Sequence, residues 1–301
     1  MSGKAVKKQE TAEIVALDAD LFEQDAGQGL GELGAEDVSI PFIKIVQSTS
    51  KAIIKAGAKP GDIYNNATNQ FFDGATGIRV VPCSYNRRFL EWSPRDDDAN
   101  YPLNIFMPTD NLPETQRNDD NKDMIVGSSN YLEDTRNHYV LVVDEDGMAQ
   151  PGLMSLTSSQ LKKSKKWNAM ISSRYMTGKN GKFLAPSYSH IYRAKIVEEG
   201  NAKGDWYGWE FSVENVIEDV GLYQQAKAFA EAVASDEVTV KHSRDDAGTM
   251  DGDVFRVIVP VGTRDDDASM TPGDRDGASR ETARGARGEG KARAKAFAGG
   301  V

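Results

Sequence analysis

The chain has 301 residues, of which 39% are hydrophobic, and a formal net charge of −10 at pH 7. This length allows one large domain or two modest ones. The sequence has neither a signal-peptide region nor an apolar run of roughly 20 residues, which predicts a cytoplasmic protein that contacts no membrane. A single cysteine excludes an internal disulfide, and the overall acidity argues against coating of duplex DNA through bulk charge.

The first 38 residues predict a flexible acidic arm. They contain three lysines against nine acidic residues and include the glycine-rich run GQGLGELG. Segments of this composition bury too little apolar surface to fold alone. The folded domain is therefore expected to begin at residue 39, just before the apolar run IPFIKIV.

Short β-strands between turn signals dominate residues 39–262 and predict a mainly β or α+β domain with few helices. An Asp-Gly pair at Asp146 indicates one hairpin, and a glycine-bounded turn near residue 202 indicates another. The run GKNGK at residues 178–182 also favours a hairpin turn. The strands are predicted at residues 77–83, 85–92, 138–143, 149–156, 187–197, 206–213 and 254–261.

Residues 93–130 are predicted as a long loop rich in Pro, Asp and Asn, a length that is often functional. A helix at residues 218–234, with an apolar side, is expected to cover the sheet or a partner subunit. After residue 262 the apolar periodicity ends, and residues 263–301 are predicted to be a disordered tail that is basic between residues 280 and 297.

The most informative segment is a basic helix predicted within residues 154–175. Thr157 and Gln160 fit a capping box at its start. At 100° per residue the apolar positions lie on one side, four lysines spread over the opposite arc and Trp167 lies at the border. A row of ammonium groups beside an indole suits single-stranded nucleic acid, although a solvated lysine face with Trp167 against the core is an alternative. The four lysines are Lys162, Lys163, Lys165 and Lys166.

Two strands add basic and aromatic residues. On one strand, Tyr85, Arg87 and Phe89 share a face while Arg88 and Trp92 share the other, so each face pairs a guanidinium with a ring. The alternative is an arginine that braces a core aromatic. The second strand places Tyr188 and Tyr192 on one face and Arg193 on the other, either as a stacking platform beside Trp206 and Trp209 or as rings that fill the interior.

Metal and catalytic motifs are missing from the sequence. The three histidines are far apart without a second ligand at helical spacing, and no phosphate-binding loop or nucleophile elbow is present. The sequence therefore predicts a non-enzymatic protein without a metal or a cofactor.

Four runs resemble, in this order, a family of tailed-bacteriophage proteins described as single-stranded-DNA-binding proteins of replication and recombination modules. They are GIRVVPCSYNRRFLEWSPR, DTRNHYVLVV, PGLMSLTSSQLKKSKKWNAMI and YSHIYRAKIVEEGNAKGDWYGWEF, and the resemblance covers about residues 40–235. It implies an oligonucleotide-binding (OB-like) barrel with long insertions, in which a helix follows the third strand and bases stack across the sheet.

Together these features predict a binder of single-stranded DNA with little sequence preference. Lysines and arginines would neutralise phosphates while rings stack on bases, and phage replication or recombination proteins would be its partners. Two alternatives remain open, a phage structural or assembly protein and a single-strand annealing recombination protein. Assembly into a homo-oligomer also remains open.

Overall fold

The computed structural model describes residues 28–29, 40–94, 97, 99–202, 204–235, 237–238, 240 and 242–243. The predictions for most of the acidic arm, for the strand at residues 254–261 and for the tail at residues 263–301 lie outside these residues.

The described part of the chain is mainly β with a few helices, as the sequence predicts. Short 3₁₀ turns at Ser158–Gln160 and Ser187–Ser189 precede α2 and β12. The elements in chain order are β1 (Ile43–Ile45), α1 (Lys51–Lys55), β2 (Ile63–Asn65), β3 (Gln70–Phe72), β4 (Ile78–Trp92), β5 (Asn104–Phe106), β6 (Thr115–Arg117), β7 (Asp123–Ile125), β8 (Tyr131–Val143), β9 (Ala149–Leu156), α2 (Leu161–Ser172), β10 (Tyr175–Gly178), β11 (Gly181–Leu184), β12 (His190–Asn201), β13 (Gly204–Val216) and α3 (Val220–Ala234).

The largest sheet is antiparallel and runs in the order β13-β12-β4-β8-β7-β6, with β5 paired to β4 and β9 paired to β8. A second sheet contains β1, β2 and β3, and β10 pairs with β11 in a third. Sequential neighbours pair through short turns, as is typical of hairpin topologies. The two predicted hairpins are present as β8–β9 and β12–β13.

The described strands do not close into a barrel, which corrects the expectation of an OB-like barrel with long insertions. β1 lies between β9 and β13 without a continuous ladder to either. A single parallel bridge joins Phe42 to Leu153, and the side-chain amide of Gln47 hydrogen-bonds the backbone N–H and C=O of Tyr207 at 3.0 and 2.8 Å. Because the ladder of β1 runs to β2, and the described contacts to β9 and β13 are isolated, the sheet stays open there.

β4 is one strand of 15 residues, where the sequence predicts two neighbouring strands. It pairs with β8 almost throughout, and the register shifts between Pro82 and Ser84. Pro82 has no backbone N–H for the ladder, and such a shift is a β-bulge that places an extra residue on one strand. The bulge lets the two predicted strands continue as one.

The predicted loop at residues 93–130 contains three short strands that extend the main sheet. β5 pairs with residues 89–91 of β4, β7 pairs with the start of β8, and β6 pairs with β7. β8 itself begins at Tyr131, seven residues before the predicted start. These strands have three residues each, which is too short for an alternation of apolar and polar residues to be recognised in the sequence.

Two hydrophobic cores hold helices against the sheet. The α3 core packs Leu222, Ala226 and Phe229 of α3 against sheet residues such as Tyr139 and Leu141. Asp219 caps α3, because its Oδ1 accepts the backbone N–H of Leu222 at 2.6 Å. The predicted covering role of this helix is therefore confirmed. No helix in the described part of the chain is long and apolar enough to cross a membrane.

Candidate nucleic-acid interface

α2 presents exposed lysines to solvent. Lys162, Lys165 and Lys166 are exposed, and within the described residues no carboxylate forms an ion pair with any of them. Lys163 differs, because its Nζ pairs with Glu199 on β12. A short helix can hold such ammonium groups in fixed positions only if its opposite side is anchored.

The anchor of α2 is Trp167. It is fully buried in the second hydrophobic core, the α2 core, with residues such as Val80, Met154 and Phe211, rather than at the border of the lysine face. Its ring stacks on Phe211 at a centroid distance of 3.9 Å and an interplanar angle of 6°, and it meets Tyr192 edge-on at 6.0 Å. Trp167 is therefore not available to stack on a base, which corrects its predicted role. Packing of both flat sides against the protein fixes the helix instead.

A buried histidine adds a polar contact beneath α2. His138 on β8 lies 4.6 Å from Trp167 between ring centroids, and its Nε2 is 2.8 Å from Oγ of the buried Ser164. Burial lowers the pKa of His138 to about 3, and the nearby charge of Arg136 acts in the same direction. The imidazole is therefore neutral at physiological pH, so it packs and hydrogen-bonds without carrying charge.

The predicted capping box at the start of α2 is wrong. Thr157 makes no side-chain capping bond, and a 3₁₀ turn precedes the helix. The side chain of Gln160 instead accepts the backbone N–H of Trp209 at 2.9 Å. Gln160 thereby joins α2 to β13, a tertiary contact that the local pattern could not reveal.

One face of β4 lies on the same side of the sheet as α2. Tyr85 is 40% exposed and its ring lies 5.0 Å from His138, so it lies on the α2 side of the sheet. Arg87 and Phe89 share this face by alternation, and the Arg87 guanidinium lies 4.5 Å from the Phe89 ring centroid. The predicted pairing of an arginine with rings on this face is therefore present.

Arg87 is also engaged in an ion pair. Its Nε and Nη2 donate to the two carboxylate oxygens of Asp134 at 2.8 Å each, and Nη2 of Arg136 lies 3.3 Å from the same carboxylate. Two guanidinium groups thus share one carboxylate. The bidentate pair fixes the Arg87 guanidinium in its position over the Phe89 ring.

The opposite face of β4 does not belong to this site. Trp92 is buried, and Arg88, which alternates with Arg87, donates from Nη1 to the backbone carbonyl of Arg87 at 3.0 Å. The predicted base-stacking role of Trp92 is therefore corrected by its burial. Arg88 lies on the other side of the sheet from the α2 lysines.

The predicted cluster of Tyr188, Tyr192 and Arg193 is also divided. Tyr192 is completely buried in the α2 core, which corrects its predicted stacking role. Tyr188 lies in the 3₁₀ turn before β12, half-buried, with its ring 5.5 Å from Tyr223 of α3. Nε of Arg193 donates to Glu214 at 2.8 Å, and Nε of Arg79 lies 3.3 Å from the same carboxylate.

The two neighbouring tryptophans form no stacking platform either. Trp209 is buried, and the indole N–H of half-buried Trp206 donates to Glu199 at 3.2 Å.

Only part of the predicted site therefore lies on the α2 side of the sheet. Trp92, Trp167 and Tyr192 are core residues, while Arg88, Tyr188 and Arg193 lie elsewhere. The residues that remain on the α2 side are Tyr85, Arg87, Phe89, Lys162, Lys163, Lys165 and Lys166.

A hairpin directly after α2 is a candidate that sequence reasoning treated only as a turn. β10 and β11 carry the exposed side chains of Tyr175, Phe183 and Leu184, together with exposed Lys179 and Lys182. Residues 161–185 contain seven Lys and Arg residues and no Asp or Glu. This charge asymmetry, which is longer than the lysine cluster at residues 162–166, is the signal in the sequence that includes the hairpin.

Two potentially reactive side chains of the described residues, Cys83 and Ser164, are buried. No group of three or more His, Cys, Asp or Glu side chains there could hold a metal ion. Burial raises the pKa of the Cys83 thiol, which disfavours the reactive thiolate. The pair formed by His138 and Ser164 lies beneath α2, where a substrate cannot reach the hydroxyl.

Comparison with known proteins gives a match to one family. A family model described as Pam3 phage gp34-like protein matches residues 8–239. No curated protein and no solved structure matches the chain.

Proposed function

The chain belongs to the family of Pam3 phage gp34-like proteins, and we propose that it binds single-stranded DNA without sequence preference during phage DNA replication or recombination. The family is one of bacteriophage proteins. The proposed activity rests on the surface of this chain.

The observation that carries the proposal is the exposed lysine row of α2. Lys162, Lys165 and Lys166 project from a helix that is fixed by its buried side, in a chain whose net charge is −10. Ammonium groups that no carboxylate neutralises attract a polyanion, and each phosphate that they neutralise releases a condensed counterion. A single row of cations also suits one strand, because a single strand has one backbone to follow.

Rings near the row supply contacts to bases. Tyr85 is partly exposed, and Phe89 lies half-buried under Arg87 on the same face of β4. Stacking tolerates any base because every base has a flat π-face. Phosphate contacts and stacking together would give affinity without sequence readout.

Charge reversal on α2 tests the proposal. We expect the triple variant Lys162→Glu, Lys165→Glu and Lys166→Glu to bind labelled oligo-dT far more weakly than the wild-type protein in fluorescence anisotropy. The slope of log affinity against log salt should become shallower by about 2, because a single strand releases roughly 0.7 counterion per neutralised phosphate. Since all three side chains are exposed, the melting temperature should change little.

A matched control carries the same charge change elsewhere. Lys51, Lys55 and Lys59 are also exposed, in and just after α1. Their reversal to Glu should leave most of the affinity intact. Equal affinity of both triple variants and the wild-type protein would overturn the proposed function.

A second candidate function, phage assembly through contacts between copies of this chain, is favoured by one observation. Tyr101, Leu103, Ile105 and Met107 alternate along β5 and its flanks, and each is about half exposed or more. Among the described strands, β5 pairs only with β4. An apolar stripe on an edge strand is a typical contact surface.

A further inference from the structure

We propose that the β10–β11 hairpin is a second DNA-contacting element that stacks on bases and extends the lysine row of α2. The inference rests on the proposed function and adds a second part of the surface to it. The ligand that the hairpin contacts is single-stranded DNA.

The hairpin exposes apolar side chains on both of its faces. Tyr175 pairs with Leu184 across the strands and Met176 pairs with Phe183, so directly opposed residues share a face. Tyr175 is 68% exposed, Leu184 54% and Phe183 46%. A two-stranded hairpin that buries so little is only marginally stable alone, so exposed rings on both faces indicate that it serves a contact.

The base of the hairpin is held close to α2. The backbone N–H of Ala185 donates to the carbonyl of Arg174 at 2.8 Å, which closes the hairpin two residues after α2 ends. Ala185 is buried, and the Arg174 side chain hydrogen-bonds the buried Tyr192. The rings of the hairpin therefore stand at a fixed place beside the end of the lysine row.

Charge favours a nucleic acid over a protein as the occupant. The charged residues of the hairpin are Lys179 and Lys182, both exposed, and residues 161–185 contain no carboxylate. Aromatic side chains interleaved with lysines match a strand whose bases and phosphates alternate in space. A protein partner would gain from the apolar side chains but would have to supply acidic groups along the whole stretch.

The test separates stacking from charge. In anisotropy titrations with labelled oligo-dT, the double variant Tyr175→Ala and Phe183→Ala should bind at least about tenfold more weakly at every salt concentration, because stacking contributes by ring area. Its salt slope should equal that of the wild-type protein, since no cation is removed. The double variant Lys179→Gln and Lys182→Gln should instead make the slope shallower by about 1.4.

Control variants keep the outcomes distinct. Tyr101→Ala removes a ring of similar exposure outside the basic stretch and should leave affinity unchanged. Wild-type affinity in both hairpin variants, while the α2 triple variant is weak, would overturn this inference and leave the proposed function standing. If the hairpin variants also change the sedimentation coefficient of the DNA-free protein, the hairpin contacts another copy and the inference is likewise overturned. Absence of oligo-dT binding by the wild-type protein would remove both.

Discussion

His138 connects the exposed and buried parts of the candidate site. Its ring touches Tyr85 on one side and Trp167 on the other, and its Nε2 is within hydrogen-bond distance of Ser164. Protonation would place a charge among these groups, beside Arg136 and without a carboxylate partner among its described contacts. The neutral ring is therefore part of what holds α2 in place.

Acidification should weaken the protein through His138. Because the folded-state pKa of about 3 lies below the unfolded value of 6.5, the unfolded chain binds a proton first as the pH falls, and the free energy of unfolding decreases. Between pH 7 and about 5.5 the expected loss from this group is about 1 kcal/mol. Urea denaturation at the two pH values should show a correspondingly smaller loss for His138→Gln, which keeps a polar partner for Ser164.

His242 provides an internal comparison for that measurement. Burial lowers its pKa to about 4, with the charge of Arg88 acting in the same direction, so its contribution persists in the His138 variant. Some pH dependence should therefore remain. An identical loss of stability in the wild-type protein and in His138→Gln would show that His138 does not titrate on unfolding.

α2 shows which parts of an element the sequence can reveal. The helix and its lysine face follow from local periodicity, and the exposure of Lys162, Lys165 and Lys166 agrees with it. The burial of Trp167 does not follow, because the ring that covers it, Phe211, lies 44 positions away in the chain. An indole at the border of a helical face fits base stacking and core packing equally well.

Substitution of Trp167 separates these two roles. Trp167→Ala should lower the free energy of unfolding by about 3–5 kcal/mol, because it leaves a cavity between Phe211 and His138. Trp167→Phe should cost less, since it keeps a ring there and the indole N–H has no hydrogen-bond partner among the described residues. Oligo-dT affinity of the Phe variant should equal that of the wild-type protein.

The position of the Trp167 indole decides which fluorescence signal can report DNA binding. A Phe variant with wild-type stability but lost affinity would place the indole against DNA. If the indole is buried as observed, quenching of tryptophan emission is a poor reporter of binding, because Trp92, Trp167 and Trp209 all lie in the core. Labelled oligonucleotides avoid this difficulty.

At the level of the sheet, local signals identified the long strands but not their connection. Alternation places Arg87 and Arg88 on opposite faces of β4, yet it does not say which face meets α2. That choice depends on the bulge near Pro82 and on the pairing of Tyr85 with His138, 53 positions along the chain. Long-range packing therefore decides which of the two arginine–ring pairs lies on the α2 side.

Positive and negative charges are concentrated in different segments of the chain. A chain of net charge −10 carries seven Lys and Arg residues without a carboxylate in residues 161–185, so its excess negative charge lies in other segments. Polyanions should accordingly be repelled from most of the chain and attracted to this stretch. We expect self-association to use a different surface, and the apolar stripe around β5 is one that the described residues offer.

Two copies related by a two-fold axis could pair their β5 edges antiparallel, because such an interface is self-complementary. Each of the four side chains of the stripe has roughly 200 Å² of surface, of which about half is exposed, so the stripe offers on the order of 400 Å² per copy. This is about half of the area that a stable interface buries on one partner. We therefore expect weak, concentration-dependent dimerisation in sedimentation velocity, abolished by Leu103→Lys and Ile105→Lys together. Val126→Lys, at an exposed apolar position outside the stripe, should dimerise like the wild-type protein. Association that survives the double substitution would place the contact elsewhere and leave the stripe without an assembly role.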